Sequence, residues 1–121
     1  MVSEALAGVL RSLRIYHGPD APRAGMDALY RRFVESGDLV FDIGAHIGDR
    51  VSSFRRLGAR CIAVEPQPLL QRALHHIHGA DPSVILVAAA VAARPGSLAL
   101  RVNTQNPTVS SASDAFVSHA A

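Results

Sequence analysis

A single cysteine, no lysine and few aromatic residues set the first boundaries on this 121-residue chain. With Cys61 alone no internal disulfide can form, which fits a reducing compartment, so a cytoplasmic location is expected. No apolar run approaches the roughly 20 residues that cross a bilayer. The N-terminus also lacks the basic start, apolar core and cleavage site of a secretory signal. Neither secretion nor a membrane partner is expected. All 12 basic residues are arginine, but they are scattered among 10 acids for a net charge of +2, and aromatics that could stack on bases make up only 5%. Nucleic acid is therefore not expected as a partner. What the chain does have is apolar residues, 49% of the total with a mean hydropathy of +0.19, which suits one small domain or part of one.

The organising stretch is residues 39–49. Leu39, Val40, Phe41 and Ile43 surround Asp42 in a run that reads as a buried parallel strand. Gly44 and Gly48 follow at once, where a turn can bring backbone close to a bound molecule. Val51, Phe54 and Leu57 then recur at helical spacing, and Gly58 supplies a left-handed stop. Strand, glycine loop and helix are the layout of a nucleotide-binding crevice.

Charge and spacing narrow the ligand. A dinucleotide site places a pyrophosphate on the helix N-terminus, but here Asp42 and Asp49 flank that end. Gly44 and Gly48 form G-x-x-x-G, without the middle glycine of the dinucleotide fingerprint. The next strand, residues 61–65, ends in Glu65, 23 positions after Asp42 (65 − 42), where a carboxylate can accept both hydroxyls of a ribose. A ligand with a ribose, a cationic group and no pyrophosphate is implied, and S-adenosyl-L-methionine fits. A nicotinamide dehydrogenase is disfavoured by the same residues.

Along the rest of the chain, residues 2–15 carry an amphipathic stripe expected to form a helix that acts as a lid or dimer contact. Residues 17–25 read as a linker, because two prolines and two glycines would interrupt a helix. Met26, Leu29, Tyr30, Phe33 and Val34 give a second helix its apolar face, with Gly37 as its stop. Pro68 can open a helix with Leu70, Ala73, Leu74 and Ile77 inward, ended by Gly79. Residues 84–87 read as a third strand, followed by small residues that leave room for a flat ring. Residues 97–102 alternate like a half-exposed strand, and residues 103–113 read as a polar loop. His75, His76 and His78 are expected on a solvated face, since no thiol or carboxylate clusters beside them to make a metal site. His46, inside the glycine loop, is a candidate for cofactor contact or general-base work.

Residues 40–49 (Val-Phe-Asp-Ile-Gly-Ala-His-Ile-Gly-Asp), the Ala63, Val64, Glu65, Pro66 element, Ala90 and Val91 with Gly96, and the stretch Pro107, Thr108, Val109, Ser110 and Ser111 together resemble the FkbM family of S-adenosylmethionine-dependent methyltransferases. The resemblance implies an α/β fold with a Rossmann-like class I methyltransferase sheet in strand order 3-2-1-4. That sheet is incomplete in this chain, with the first three parallel strands, their helices and a short extra strand. It further implies methyl transfer to a hydroxyl of a sugar or secondary metabolite, a small-molecule acceptor. Carried over by position, Asp42, Gly44, Ala45, His46 and Gly48 line the methionine side of the cofactor, while Glu65, followed by Pro66, holds its ribose. Residues 1–25 are then an N-terminal helix and linker, and residues 26–121 a partial methyltransferase domain. The family continues into a fourth strand with a K-x-D-x-E-G-x-E type element, whereas this sequence stops at Ala121. Truncation leaves a non-catalytic nucleotide-binding remnant or interaction module as the alternative, and self-association through the open sheet edge is expected.

Overall fold

A computed structural model describes residues 3–97 together with Ala99. The order of elements is α1 (Glu4–His17), α2 (Arg23–Tyr30), β1 (Leu39–Ile43), α3 (Asp49–Arg56), β2 (Arg60–Val64), α4 (Pro68–His78) and β3 (Val84–Val87). The three strands are parallel in the order β1-β2-β3, with Phe41 opposite Ile62 and Ile62 opposite Ile85. The expected α/β class, parallel sheet and first three strands are therefore present. The extra strand at residues 97–102 and the loop at residues 103–113 lie essentially outside the described residues.

Two apolar clusters hold the layers together. Under the sheet, Ala45, Val51, Phe54, Cys61, Ala63 and Leu74 pack between β1, β2, α3 and α4. Beside it, Val9 of α1 meets Ile47, Leu70 and Ala73, with Leu13 and Tyr16 at the margin. Burying a leucine as completely as Leu70 or Leu74 contributes about 1.5–3 kcal/mol. α1 therefore packs on α4 through Val9, while Leu6 and Leu10 of its apolar stripe remain exposed. Ser3 caps α1 by accepting from the Leu6 amide at 3.1 Å, while Arg14 and His17 stand in its last turn, where the helix dipole favours cations.

Two boundaries differ from the sequence reading. α2 begins at Arg23, inside the expected linker, because Pro22 sits at the N-cap, where a missing N–H costs nothing, and Gly25 is accommodated in the first turn. Its end comes early, at Tyr30, where Arg32 and Phe33 turn back on Leu29 and Tyr30 with i→i−3 bonds. Tyr30 and Val34 reach the core, Tyr30 with its ring tilted against that of Phe54, but Leu29 and Phe33 remain exposed. α2 is held instead by polar contacts. Asp27 pairs with Arg56 at 2.7 Å and accepts from the Ser53 hydroxyl, which joins α2 to α3.

Among the described residues the helices cover one sheet face only. On the other face Leu39, Phe41, Ile43, Ile85 and Val87 are exposed, Phe41 at 60% and Ile85 at 57%. Cross-strand register places Phe41, Ile62 and Ile85 in one row and Ile43, Val64 and Val87 in the next. The result is a continuous apolar surface, where a strand covered on both faces had been expected.

Candidate nucleotide-binding site

The loop after β1 is built from left-handed backbone. Gly44 (φ +75°), His46 (φ +57°) and Gly48 (φ +80°) alternate with ordinary residues, so the chain winds tightly between β1 and α3. The two glycines are needed for different reasons. A Cβ on Gly48 would stand 2.8 Å from Leu74 Cδ2 and 2.9 Å from His78 Nε2, so here glycine lets α4 approach the loop. A Cβ on Gly44 would meet nothing within 4 Å, so here the backbone faces open space at the C-terminal end of the sheet, where ligands of α/β folds bind.

Asp42, Gly44, Ala45, His46, Gly48, Glu65 and Pro66 all lie in this loop or at the strand ends beside it. Gly44 and Ala45 amides both donate to the Val64 carbonyl, at 2.8 and 3.0 Å. Ala45 turns its side chain into the core, so its part is to seat the loop. Glu65 is only 3% exposed. Its Oε1 accepts from the His46 amide and its Oε2 from the Gln67 amide, each at 2.9 Å. The carboxylate thus fixes the loop's strained residue, and each oxygen keeps a lone pair for a ribose hydroxyl. Burial pushes its pKa up, against the pull of the two amides. Pro66 follows, lining a groove whose opposite wall is residues 88–97, rich in alanine.

Asp42 is 6% exposed and does not face the loop alone. Arg50, in the first turn of α3, donates from Nε to Asp42 Oδ1 at 3.2 Å and from Nη2 to the Gly44 carbonyl at 2.7 Å. Among the described residues Asp42 Oδ2 is buried without a partner. Burial raises the Asp42 pKa, and the Arg50 charge opposes that rise. The expectation of two uncompensated acids beside the ligand is thereby revised, since one of them is balanced by a guanidinium.

Three histidines surround the same loop. The His46 ring packs edge-on against Tyr16, is buried, and leaves its Nε2 without a partner among the described residues. Desolvation lowers its pKa. His17, the last residue of α1, donates from Nε2 to the Ile47 carbonyl at 2.8 Å. His78, expected on a solvated face with His75 and His76, is instead buried, with Nε2 3.2 Å from the Gly48 carbonyl and 3.3 Å from Ser52 Oγ. Helical spacing explains the difference. His78 lies four residues after Leu74 and shares its inward face, while His75 and His76 point outward and are exposed. Among the described residues no group of three or more metal-ligating side chains occurs.

Sequence reasoning missed Arg50, His17, His78 and Gln71. Gln71 Nε2 donates to the carbonyls of Glu65 and Val87, both at 2.8 Å, and so ties the ends of β2 and β3 together. A signal was present for Arg50, since a cation in the first turn of a helix opposes the dipole and is seldom placed there without an acidic partner. The other three carry no distinctive pattern.

No protein-family model and no curated protein matches the chain. Among solved structures it is similar to the C-terminal domain of precorrin-6Y C5,15-methyltransferase from Rhodobacter capsulatus, with 22% identity over 62% of this chain and 44% of that one and a TM-score of 0.49. It is also similar to 1,6-didemethyltoxoflavin-N1-methyltransferase from Burkholderia thailandensis, solved with 1,6-didemethyltoxoflavin and S-adenosylhomocysteine bound, with 28% identity over 74% of this chain and 43% of that one and a TM-score of 0.45. The chain spans less than half the length of either protein.

Proposed function

We propose that residues 26–121 carry the cofactor-binding part of an S-adenosylmethionine-dependent methyltransferase acting on a hydroxyl of a small molecule, as the resemblance to the FkbM family implies. The observation that carries this reading is Gly44, whose left-handed backbone faces open space between two carboxylates at successive strand ends, Asp42 and Glu65. The residues fit the group. Glu65 has lone pairs for a ribose, the open face of Gly44 admits a ligand against the backbone, and the groove between Pro66 and residues 88–97 has the small side chains that a flat ring needs.

When bound, the cofactor supplies a methyl group already activated on sulfur, so that an acceptor oxygen can bond to that carbon as the C–S bond breaks, a neutral thioether leaves and the acceptor proton passes to a base. The chain's own contribution is positioning. Glu65 fixes the loop through the His46 amide, His17 and His78 hold the Ile47 and Gly48 carbonyls, Gly48 lets α4 close on the loop, and Gly44 lets backbone approach the ligand.

Calorimetry tests the reading. S-adenosylhomocysteine should bind in preference to NAD, and Glu65→Ala should weaken that binding by about 1.5–3 kcal/mol. Equal affinity for the two nucleotides would sink the assignment. Binding without methyl transfer to any hydroxyl acceptor would leave a nucleotide-binding module in place of an enzyme.

A further inference from the structure

We infer that Arg50 is a specificity-determining residue, anchoring a carboxylate so that the site selects nucleosides bearing an amino-acid tail; this rests on the nucleoside-binding reading above. Arg50 has five N–H donors in a fixed plane. The side-on edge is engaged by the protein, Nε on Asp42 Oδ1 at 3.2 Å and Nη2 on the Gly44 carbonyl at 2.7 Å. The end-on edge, formed by Nη1 and the second hydrogen of Nη2, makes no hydrogen bond among the described residues, and the side chain is 39% exposed. Two bonds to rigid partners, one at the end of β1 and one in the loop, fix the plane of the guanidinium beside the open face of Gly44. A guanidinium held in this way presents its free fork with little ordering left to do, and that fork matches the two oxygens of a carboxylate.

Charge order supports the same ligand. Asp42 and Arg50 form a neutral pair with negative charge inside and positive charge toward solvent, next to Asp49. An amino-acid zwitterion is neutral overall and can align its carboxylate with Arg50 while its ammonium meets the acids. A pyrophosphate would set two negative charges against one cation and two carboxylates. Lysine at position 50 would supply charge without the planar fork.

The test is calorimetry on the full chain with S-adenosylhomocysteine, which has the amino-acid tail, and 5′-methylthioadenosine, which lacks it, for wild type, Arg50→Gln and Arg50→Lys. Wild type is expected to favour S-adenosylhomocysteine at least about tenfold. Both variants should shrink that preference to less than about threefold. The readout is the ratio of the two affinities within each protein, and Arg50→Lys, which retains a cation beside Asp42, supplies it if Arg50→Gln destabilises the fold. A wild-type preference near one overturns the inference without any variant, as does a preference that survives both substitutions. If 5′-methylthioadenosine binds and only the preference fails, the nucleoside reading stands. If neither nucleoside binds wild type, both fall together.

Discussion

Glu65→Ala should cost stability as well as binding, because the side chain is part of the fold's wiring before any ligand arrives. The substitution removes an acceptor from two backbone amides, His46 N and Gln67 N, each bonded at 2.9 Å inside the protein. A hydrogen bond to a charged group is worth about 1.5–3 kcal/mol, so the pair amounts to roughly 3–6 kcal/mol. Against this stands the relief of no longer burying a carboxyl that burial itself pushes toward its neutral form. A net loss of about 2–4 kcal/mol follows, a large share of the 5–15 kcal/mol typical of a whole domain. Urea unfolding followed by far-UV circular dichroism measures it as a lower midpoint at unchanged slope. Glu65→Gln refines the measurement, since the amide keeps one acceptor oxygen but turns an NH2 toward the other backbone N–H, so it should fall between wild type and Glu65→Ala. A loss below about 0.5 kcal/mol for Glu65→Ala would refute the reasoning, because surface substitutions alone produce that much.

Three further outcomes are expected. The pKa values of His46 and His78 are lowered from 6.5, desolvation being the larger cause in each, so the stability they contribute is complete above pH 6.5 and is lost as pH falls through their lowered folded values. Thermal melts should therefore drop on acidification below that point and His78→Gln should flatten the drop; an identical pH slope in the variant would contradict this. Gly48→Ala should destabilise by more than the roughly 1–2 kcal/mol of left-handed strain because its Cβ strikes Leu74 and His78, whereas Gly44→Ala should cost only that strain yet weaken nucleoside binding. Equal unfolding midpoints for the two variants would refute the distinction. Self-association through the bare sheet face and the edge of β1 is expected at micromolar concentration, and Phe41→Lys should reduce it; sedimentation of wild type as a monomer would overturn the expectation.

How much of this was legible beforehand depends on whether a feature is periodic or three-dimensional. β1, β3 and α4 could be read to within a residue because apolar spacing and turn residues mark their ends, and Gly58, with φ +87°, is the left-handed stop that its position after Leu57 suggested. The strand-end placement of Asp42 and Glu65 was equally readable. What they bond to was not. Arg50 reaches back eight residues to Asp42, and His78 crosses from α4 to the loop thirty positions earlier, contacts that no local pattern encodes. The bare face of the sheet was hidden for a related reason, since Leu39, Phe41 and Ile43 have the composition of buried strand residues whether or not anything in the chain covers them.

Every bond described here as shaping the glycine loop joins residues lying between His17 and Val87. α1 contributes one clamp, the end of β2 and α4 the others, and the first turn of α3 supplies Arg50. Its geometry is in that sense a self-sufficient unit of sequence, closed by contacts that all lie within that span. A single change at Glu65 or His17 would therefore be felt throughout the loop, since each holds a different part of its backbone.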